Sequence, residues 1–205
     1  MTRPRLLVAC ERSGAVRDAF RARGWDAWSC DLVPSDTKGP HIVNDVRNVL
    51  DDGWDMMIAF PPCTHLAGSG ARWWKFKVRE QLEALAFVRT LMNAPIPRIA
   101  IENPVGKIST AIRKPSQIIQ PYQFGDPFMK TTCLWLTKLP PLFHTHHMAE
   151  RVQECWLMTP GPDRAAKRAV TYPGIAQAMA AQWSHLNSPN SPAPHHVPAQ
   201  GELAQ

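Results

Sequence analysis

The sequence contains no long hydrophobic run and no closely paired cysteines. Its apolar stretches are far shorter than the roughly 18 to 20 residues of a membrane span, and residues 1–5 lead straight into a short apolar segment without a signal-peptide pattern. We therefore expect a cytoplasmic protein with no membrane partner. The five cysteines are scattered and form no Cys-x-x-Cys pair, which argues against a disulfide framework and a zinc ribbon.

The length and composition indicate one globular domain. The chain has 205 residues, enough for a single α/β domain with a proper core but not for two. We place that domain at residues 1–186 and predict that residues 187–205, rich in Pro, Ser, Ala and His, are a disordered tail. The net charge of +6 permits an anionic partner such as nucleic acid without demonstrating one.

The first thirty residues predict a strand, a turn, a helix and a second strand. Residues 6–9 and 25–30 are apolar enough for strands, and apolar side chains recur at helical spacing over residues 15–23. In such units a glycine that opens the helix allows close approach of a ligand, and a carboxylate after the second strand accepts hydrogen bonds from ribose hydroxyls. The unit thus predicts a cofactor site; its members are Glu11, Ser13, Gly14 and Asp31. The glycine spacing does not match Gly-x-Gly-x-x-Gly, so a pyrophosphate is not implied, and a purely structural turn is the alternative.

A second apolar run, residues 56–60, is stopped by Pro61 and Pro62. Such a run suits a strand buried on both faces of a parallel sheet, although a buried helix turn has the same pattern. Neither proline has an amide hydrogen to donate, so the strand must end there. Cys63 then follows the carboxyl end of the strand, where reactive groups of open α/β sheets collect and where a thiol is accessible.

Residues 67–71 after Cys63 predict a flexible segment. A helix is predicted over residues 78–92, with an apolar face of Leu82, Leu85, Ala86, Val88 and Leu91. A further strand at 98–101 leads to Glu102-Asn103-Pro104. Pro61-Pro62-Cys63 resembles the nucleophile loop of the cytosine-C5 DNA methyltransferases, and Glu102-Asn103-Pro104 resembles their Glu-Asn-Val motif at the end of the next strand. The resemblance implies an α/β, Rossmann-like methyltransferase fold with a central, mostly parallel sheet and helices on both faces. It also implies S-adenosylmethionine as cofactor and DNA as partner, in a short, phage-like member of the family.

The two motifs suit one reaction. Carbon 5 of cytosine becomes nucleophilic when a thiolate adds to carbon 6, and a carboxylic acid of raised pKa can protonate N3 as charge builds up on the ring. The resemblance assigns Cys63 as the nucleophile and Glu102 as the acid, with Asn103 fixing the loop. A turn-capping carboxylate is the alternative interpretation of Glu102.

The resemblance extends to further positions. It places Asp45 against the adenine amine, although Asp45 could instead cap the short helix that follows it. Pro61 and Gly174, the latter opening a closing helix over residues 171–183, complete the expected cofactor pocket. The expected contacts to substrate come from Pro62, Asn103, Ser69, Arg72, Lys75 and Lys130. Arg72 and Lys75 flank two tryptophans, a mixture that suits a base and its phosphate, although core cover is the commoner use.

The chain also departs from the family. Only 35 residues separate Leu136 from Tyr172, too few for the usual target-recognition domain. The substrate could therefore be a free pyrimidine nucleotide such as dCMP instead of DNA, or the chain could be a catalytically silent DNA-binding relative. His144, His146 and His147 with Cys155 match no common zinc spacing, so we expect solvated loop histidines and no metal.

Overall fold

The computed structural model describes residues 2–153 and 170–187. Over these residues the chain forms seven strands: β1 Arg5–Ala9, β2 Asp26–Asp31, β3 His41–Val43, β4 Met56–Ala59, β5 Arg98–Pro104, β6 Gln117–Ile119 and β7 Thr132–Thr137. The α-helices within them are α1 Ala15–Arg21, α2 Val78–Met92, α3 Lys107–Ala111 and α4 Pro173–Trp183. Among the same residues, 3-10 helices span Val46–Asn48, Gly68–Phe76, Pro121–Gln123 and Ser184–Asn187.

The seven strands form one sheet in the order β3-β2-β1-β4-β5-β7-β6. Strands β1 to β5 pair in parallel, and β7 runs antiparallel to both β5 and β6. The order reverses between β1 and β4, and the crevice outside the carboxyl ends of strands at such a switch point is where open α/β sheets bind ligands. Residues after β1 and after β4 therefore meet where a site is expected.

Helices cover both faces of the sheet, as the apolar strands require. Leu6 and Val8 of β1 face a core that includes α1 and α4, whereas Leu7 and Ala9 face a second core that includes α2. All four residues of β4 are buried, because this central strand is covered on both sides. The predicted fold class, an α/β Rossmann-like fold with a mostly parallel sheet, is confirmed.

Three local predictions need correction. Helix α2 has the predicted bounds, but Leu82, assigned to its apolar face, is 61% exposed, and Gln81 is buried there instead. Strand β5 does not end at residue 101 but includes the Glu102-Asn103-Pro104 motif, because β7 pairs with it up to Pro104. The stretch expected to be a flexible segment, residues 67–71, leads into the 3-10 helix Gly68–Phe76.

Other expectations concern the surface and the end of the chain. None of the helices described is long and apolar enough to cross a membrane. Residues 188–205 of the predicted tail, and Cys155, lie outside the described residues.

Candidate active site at the carboxyl edge of the sheet

The loop that carries Cys63 begins where β4 stops pairing. The amide of Phe60 still donates to the carbonyl of Ala9 at 2.9 Å, and the two prolines that follow cannot donate. The carbonyl of Cys63 accepts hydrogen bonds from the amides of Leu66 and Ala67 at 3.0 and 2.8 Å, which closes a tight turn. Cys63 is exposed and in no disulfide, so its thiol is accessible at the edge where the sequence predicts the nucleophile.

The Cys63 loop is fastened to the segment after β5. The side-chain amide of Asn103, which is 1% exposed, donates to the carbonyl of Pro61 at 2.7 Å. The backbone amide of Gly68 donates to the carbonyl of Val105 at 2.8 Å, and the backbone amide of Lys107 donates to the carbonyl of Leu66 at 2.8 Å. These bonds hold the two motifs of the sequence side by side, and they give Asn103 a definite structural partner.

Gly106 makes this fastening possible. A Cβ at position 106 would lie 2.0 Å from the carbonyl oxygen of Leu66, so no larger residue fits without moving backbone. Sequence reasoning missed this residue, although a glycine two positions after Glu102-Asn103-Pro104 is a signal of close backbone approach.

Glu102 lies half-buried on β5, beside the loop that carries Cys63. Burial raises the pKa of its carboxyl group, while the positive charge of Lys130 and a hydrogen bond with Thr132 act in the opposite direction. The raised pKa keeps the acid protonated to higher pH than an exposed glutamate, which is what a proton donor needs. Thr132, on the antiparallel strand β7, is a second residue that sequence reasoning missed, and no local signal marks it.

The other expected substrate residues lie in the Cys63 loop, on the 3-10 helix after it and shortly before β7. Pro62 is exposed next to Cys63, and Lys130 lies half-buried with its Nζ 5.6 Å from the centre of the Tyr172 ring. Ser69, Arg72 and Lys75 are exposed on the 3-10 helix that follows the Cys63 loop.

On the cofactor side, the buried Glu11 caps the start of α1. Its Oε1 accepts hydrogen bonds from the amide of Val16 at 2.9 Å and from the hydroxyl of Ser13 at 3.1 Å. Its Oε2 is buried and finds no partner among the described residues. Burial raises the pKa of Glu11 more than these bonds lower it. The backbone amide and the charge of Arg17 also act on this carboxyl group, and a contact between Glu11 and a cofactor stays a prediction.

Gly14 adopts a left-handed conformation with φ of 75°, which favours glycine. A Cβ there would lie 2.3 Å from Oγ1 of Thr37 and 2.4 Å from Nη2 of Arg17. The physical reason for this glycine is thus close packing against the chain's own loop, whereas the sequence predicted close approach to a ligand. A contact between Gly14 and a cofactor stays a prediction.

Asp31 and Asp45 lie at the same edge. Asp31 ends β2 half-buried and accepts a hydrogen bond from the amide of Val33 at 3.3 Å. Asp45 caps the helix Val46–Asn48 by accepting from the amide of Arg47 at 2.9 Å, and the Arg47 guanidinium holds the pKa of Asp45 below its usual value. The structure therefore shows the capping role of Asp45; its contact with adenine stays a prediction.

This acidic edge fits S-adenosylmethionine better than a phosphate-bearing cofactor. The carboxyl groups of Glu11 and Asp31 are suited to hydroxyl and amino groups, whereas the carboxylate of Asp45 already pairs with the guanidinium of Arg47. The amides of Ala15 and Val16 in the first turn of α1 are already bonded to the side chains of Ser13 and Glu11.

The two remaining residues predicted to contact the cofactor are Pro61 and Gly174. Pro61 is buried and its carbonyl is the acceptor for Asn103. Gly174 lies in the first turn of α4, where its amide donates to the carboxylate of Asp126 at 2.8 Å. A Cβ on Gly174 would lie 2.0 Å from the carbonyl oxygen of Phe124, so this glycine seats α4 against the β6–β7 connection.

The three histidines of the β7–α4 connection are exposed. His147 packs edge-on against Tyr122 at 5.1 Å between ring centres, and His144 packs against Phe124 at 5.9 Å. Within residues 2–153 and 170–187 no group of three or more His, Cys, Asp or Glu side chains could hold a metal ion.

Comparisons with known proteins give a similarity of fold. No protein-family model matches the sequence, and no curated protein matches it either. Among solved structures, the chain is similar to the methyltransferase EhMeth of Entamoeba histolytica, with a TM-score of 0.49 and 13% sequence identity. The match covers 78% of this chain and 61% of that one, so the chain spans less than two thirds of the length of EhMeth. The fold class itself rests on the strand order and the two helix layers.

Proposed function

We propose that this chain transfers a methyl group from S-adenosylmethionine to carbon 5 of cytosine in DNA. The observation that carries the proposal is the pairing of an exposed thiol, Cys63, with a carboxyl group of raised pKa, Glu102, on neighbouring strand ends. The hydrogen bond from Asn103 to the carbonyl of Pro61 holds these two strand ends together. A nucleophile and a proton donor on adjacent strand ends can flank one planar base.

The two side chains have separate tasks in this reaction. The Cys63 thiolate forms a bond to carbon 6 of cytosine, and the electron pair of the carbon 5–carbon 6 double bond moves through the ring toward N3, which takes a proton from Glu102. Carbon 5 becomes nucleophilic in the resulting adduct. Glu11, Asp31 and Asp45 would hold S-adenosylmethionine, whose sulfonium would supply an electrophilic methyl group and keep the electrons of the carbon–sulfur bond that breaks. After transfer, a water molecule accepts the proton from carbon 5, and the electrons of that bond restore the carbon 5–carbon 6 double bond and expel the Cys63 thiolate, while N3 returns its proton to Glu102.

DNA is the proposed substrate because cationic side chains lie next to the nucleophile loop. Arg72 and Lys75 are exposed on the 3-10 helix after Cys63, and phosphates are their natural partners. A reacting base must leave a duplex before a thiol can reach carbon 6, so contacts with a single extracted base and its backbone are what the reaction needs.

The test is transfer of labelled methyl groups from S-adenosylmethionine to duplex DNA, single-stranded DNA and dCMP. We expect label to enter DNA, and we expect Cys63→Ser to abolish transfer while leaving folding and cofactor affinity unchanged, because a serine hydroxyl is far less nucleophilic than a thiol. DNA that contains 5-fluorocytosine should form a covalent adduct, which peptide mapping should locate on Cys63.

A matched control is Cys10→Ser, because burial and the nearby Asp31 raise the pKa of Cys10 to about 12 and leave its thiol protonated. An adduct on another cysteine, or full activity of Cys63→Ser, would contradict the proposed mechanism. Efficient turnover of dCMP without label in DNA would replace DNA with a mononucleotide. A chain that binds DNA but transfers nothing would be a silent relative.

A further inference from the structure

Two large aromatic rings project into solvent beside the Cys63 loop. On the 3-10 helix Gly68–Phe76, Trp73 is 53% exposed and Phe76 is 68% exposed. Their ring centres lie 6.5 Å apart with an angle of 47° between the planes, so the rings do not stack on each other. Exposed apolar side chains that cluster in one place mark interaction sites more often than isolated ones do.

The charged residues in this stretch of the sequence are all positive. From Cys63 to Arg79 the sequence has four Lys or Arg residues and no Asp or Glu. The guanidinium carbon of Arg72 lies 5.2 Å from the centre of the Trp73 ring, and Nζ of Lys75 lies 4.8 Å from the centre of the Phe76 ring. Aromatic faces with cations beside them match a nucleic-acid strand, which offers base faces and phosphates at alternating positions.

The segment is anchored to the chain after β5 through Gly68 and has a regular turn at its end. The amide of Gly68 donates a hydrogen bond to the carbonyl of Val105, and at the end of the helix the amide of Lys77 donates to the carbonyl of Trp74 at 3.1 Å. Trp74 points inward, half-buried, with Nζ of Lys107 5.3 Å from the centre of its ring. Because Trp74 faces the protein, its neighbours Trp73 and Phe76 are held outward, close in sequence to the nucleophile.

We propose that Trp73 and Phe76 form a stacking platform for unpaired bases next to the reacting cytosine, so that the chain binds an unpaired nucleic-acid strand in preference to a duplex. The inference rests on the proposed function, which supplies DNA as the strand and Cys63 as the neighbouring reactive group. In a duplex both faces of each base are covered by the bases above and below, whereas an unpaired strand can turn its base faces to an aromatic side chain. Arg72 and Lys75 then lie beside the adjoining phosphates.

The platform can be tested without any chemistry on the base. Fluorescence anisotropy would measure the binding of a labelled, cytosine-free DNA strand, the same sequence as a duplex, its RNA equivalent, and vesicles of phosphatidylserine and phosphatidylcholine. We expect the unpaired DNA strand to bind more tightly than the duplex. Trp73→Ala and Phe76→Ala should each weaken strand binding on the order of tenfold, the usual effect of removing one stacking ring.

Two matched variants separate stacking from structure. Trp73→Phe keeps an aromatic face and should retain most of the affinity that Trp73→Ala loses. Phe143→Ala removes another exposed ring, 61% exposed and outside this segment, and should leave strand binding unchanged. Thermal unfolding of each variant would show whether the fold is intact, and Trp73→Phe keeps the test decisive if Trp73→Ala fails to fold.

The outcomes separate the platform from the catalytic proposal. Equal or tighter binding of the duplex, unchanged affinity in both alanine variants, or binding to vesicles without binding to strands would overturn the platform. A preference for the RNA strand would retain the platform and contradict DNA as the substrate. If the strand binds as expected but no methyl group is transferred to any cytosine, the proposed function fails and the platform stands.

Discussion

Cys63 and Glu102 differ in how much water reaches them, and this difference matches their proposed tasks. Cys63 is exposed, whereas burial raises the pKa of Glu102. Other thiols at this edge are poor nucleophiles: burial, assisted by the nearby charge of Glu102, raises the pKa of Cys133 to about 11, and Cys10 has a pKa of about 12. An attacking thiol has to ionise and a proton donor has to keep its proton, so the two residues need opposite environments.

The first prediction at this scale concerns the pH dependence of transfer. Because Glu102 must be protonated, the rate should fall as pH rises through its raised pKa. Glu102→Gln still donates a hydrogen bond but has no proton to give, so we expect a loss of about 10²- to 10⁴-fold, the usual contribution of a general acid. A plot of kcat against pH should show this decrease at high pH for the parent chain and no such decrease for Glu102→Gln. A variant that kept the fall would show that another group causes it.

Glu102 should also affect stability, because its folded-state pKa lies above its unfolded value. The folded chain then binds this proton more tightly, so the free energy of unfolding decreases as pH rises from the unfolded pKa to the folded one. In Glu102→Gln this contribution is absent, and the variant should be at least as stable as the parent chain at neutral pH. Urea unfolding at a series of pH values measures both curves. A less stable variant at neutral pH would mean that the ionised carboxylate is well paired.

For the cofactor, Asp31→Ala should weaken binding of S-adenosylmethionine by about 1 to 3 kcal/mol, since a charged acceptor of hydrogen bonds is lost. Asp51→Ala removes an exposed carboxylate in the β3–β4 connection and is the matched control. Calorimetric titration measures both affinities. Unchanged affinity in Asp31→Ala would place the ribose elsewhere.

Among the elements, the joint between the Cys63 loop and the segment after β5 leaves no room for a side chain at position 106. Gly106→Ala would drive a Cβ to within 2.0 Å of the carbonyl of Leu66, and backbone on one side must move. We expect a stability loss of about 1 to 3 kcal/mol from overpacking and a large loss of transfer, with cofactor affinity retained. Gly70→Ala is the control, because its Cβ would lie 3.9 Å from the nearest atom. Equal effects of the two substitutions on transfer would show that the joint does not position Cys63.

The sequence predicts the bounds of a helix or strand where nearby residues alone determine them. Pro61 and Pro62 end β4 because prolines cannot donate, and the bounds of α2 follow from helical spacing. Leu82 was misplaced because the spacing does not say which side chain takes an interior position; Gln81 does so by donating to the carbonyl of His65 at 3.1 Å. The continuation of β5 through Pro104 depends on its antiparallel partner β7, which no local pattern reveals.

For the whole molecule, strand order brings Glu11, Asp31 and Cys63 to one edge of the sheet. The sequence could place Cys63 near Glu102, because both follow parallel strands and such strands end at the same edge. It could not supply Thr132, because that residue reaches Glu102 from an antiparallel strand. Nor could it show that Glu11 would cap α1, because side-chain direction depends on the final packing; for Asp45 the sequence offers capping as one of two alternatives, and the structure shows the cap.

The last prediction concerns the electrostatics of the whole surface. DNA affinity should fall steeply with salt, because each phosphate contact releases counterions, with a slope of about −0.7 per contact for a single strand and about −0.9 for a duplex. Arg72→Ala combined with Lys75→Ala should flatten the slope by about two contacts' worth and leave affinity for S-adenosylmethionine unchanged. The control pair, Arg23→Ala with Lys114→Ala, removes the same charge from exposed positions elsewhere and should leave the slope nearly as it was. Binding titrations from about 50 to 200 mM salt measure these slopes. If both pairs flatten the slope equally, DNA responds to the net charge of the chain and not to the segment beside Cys63.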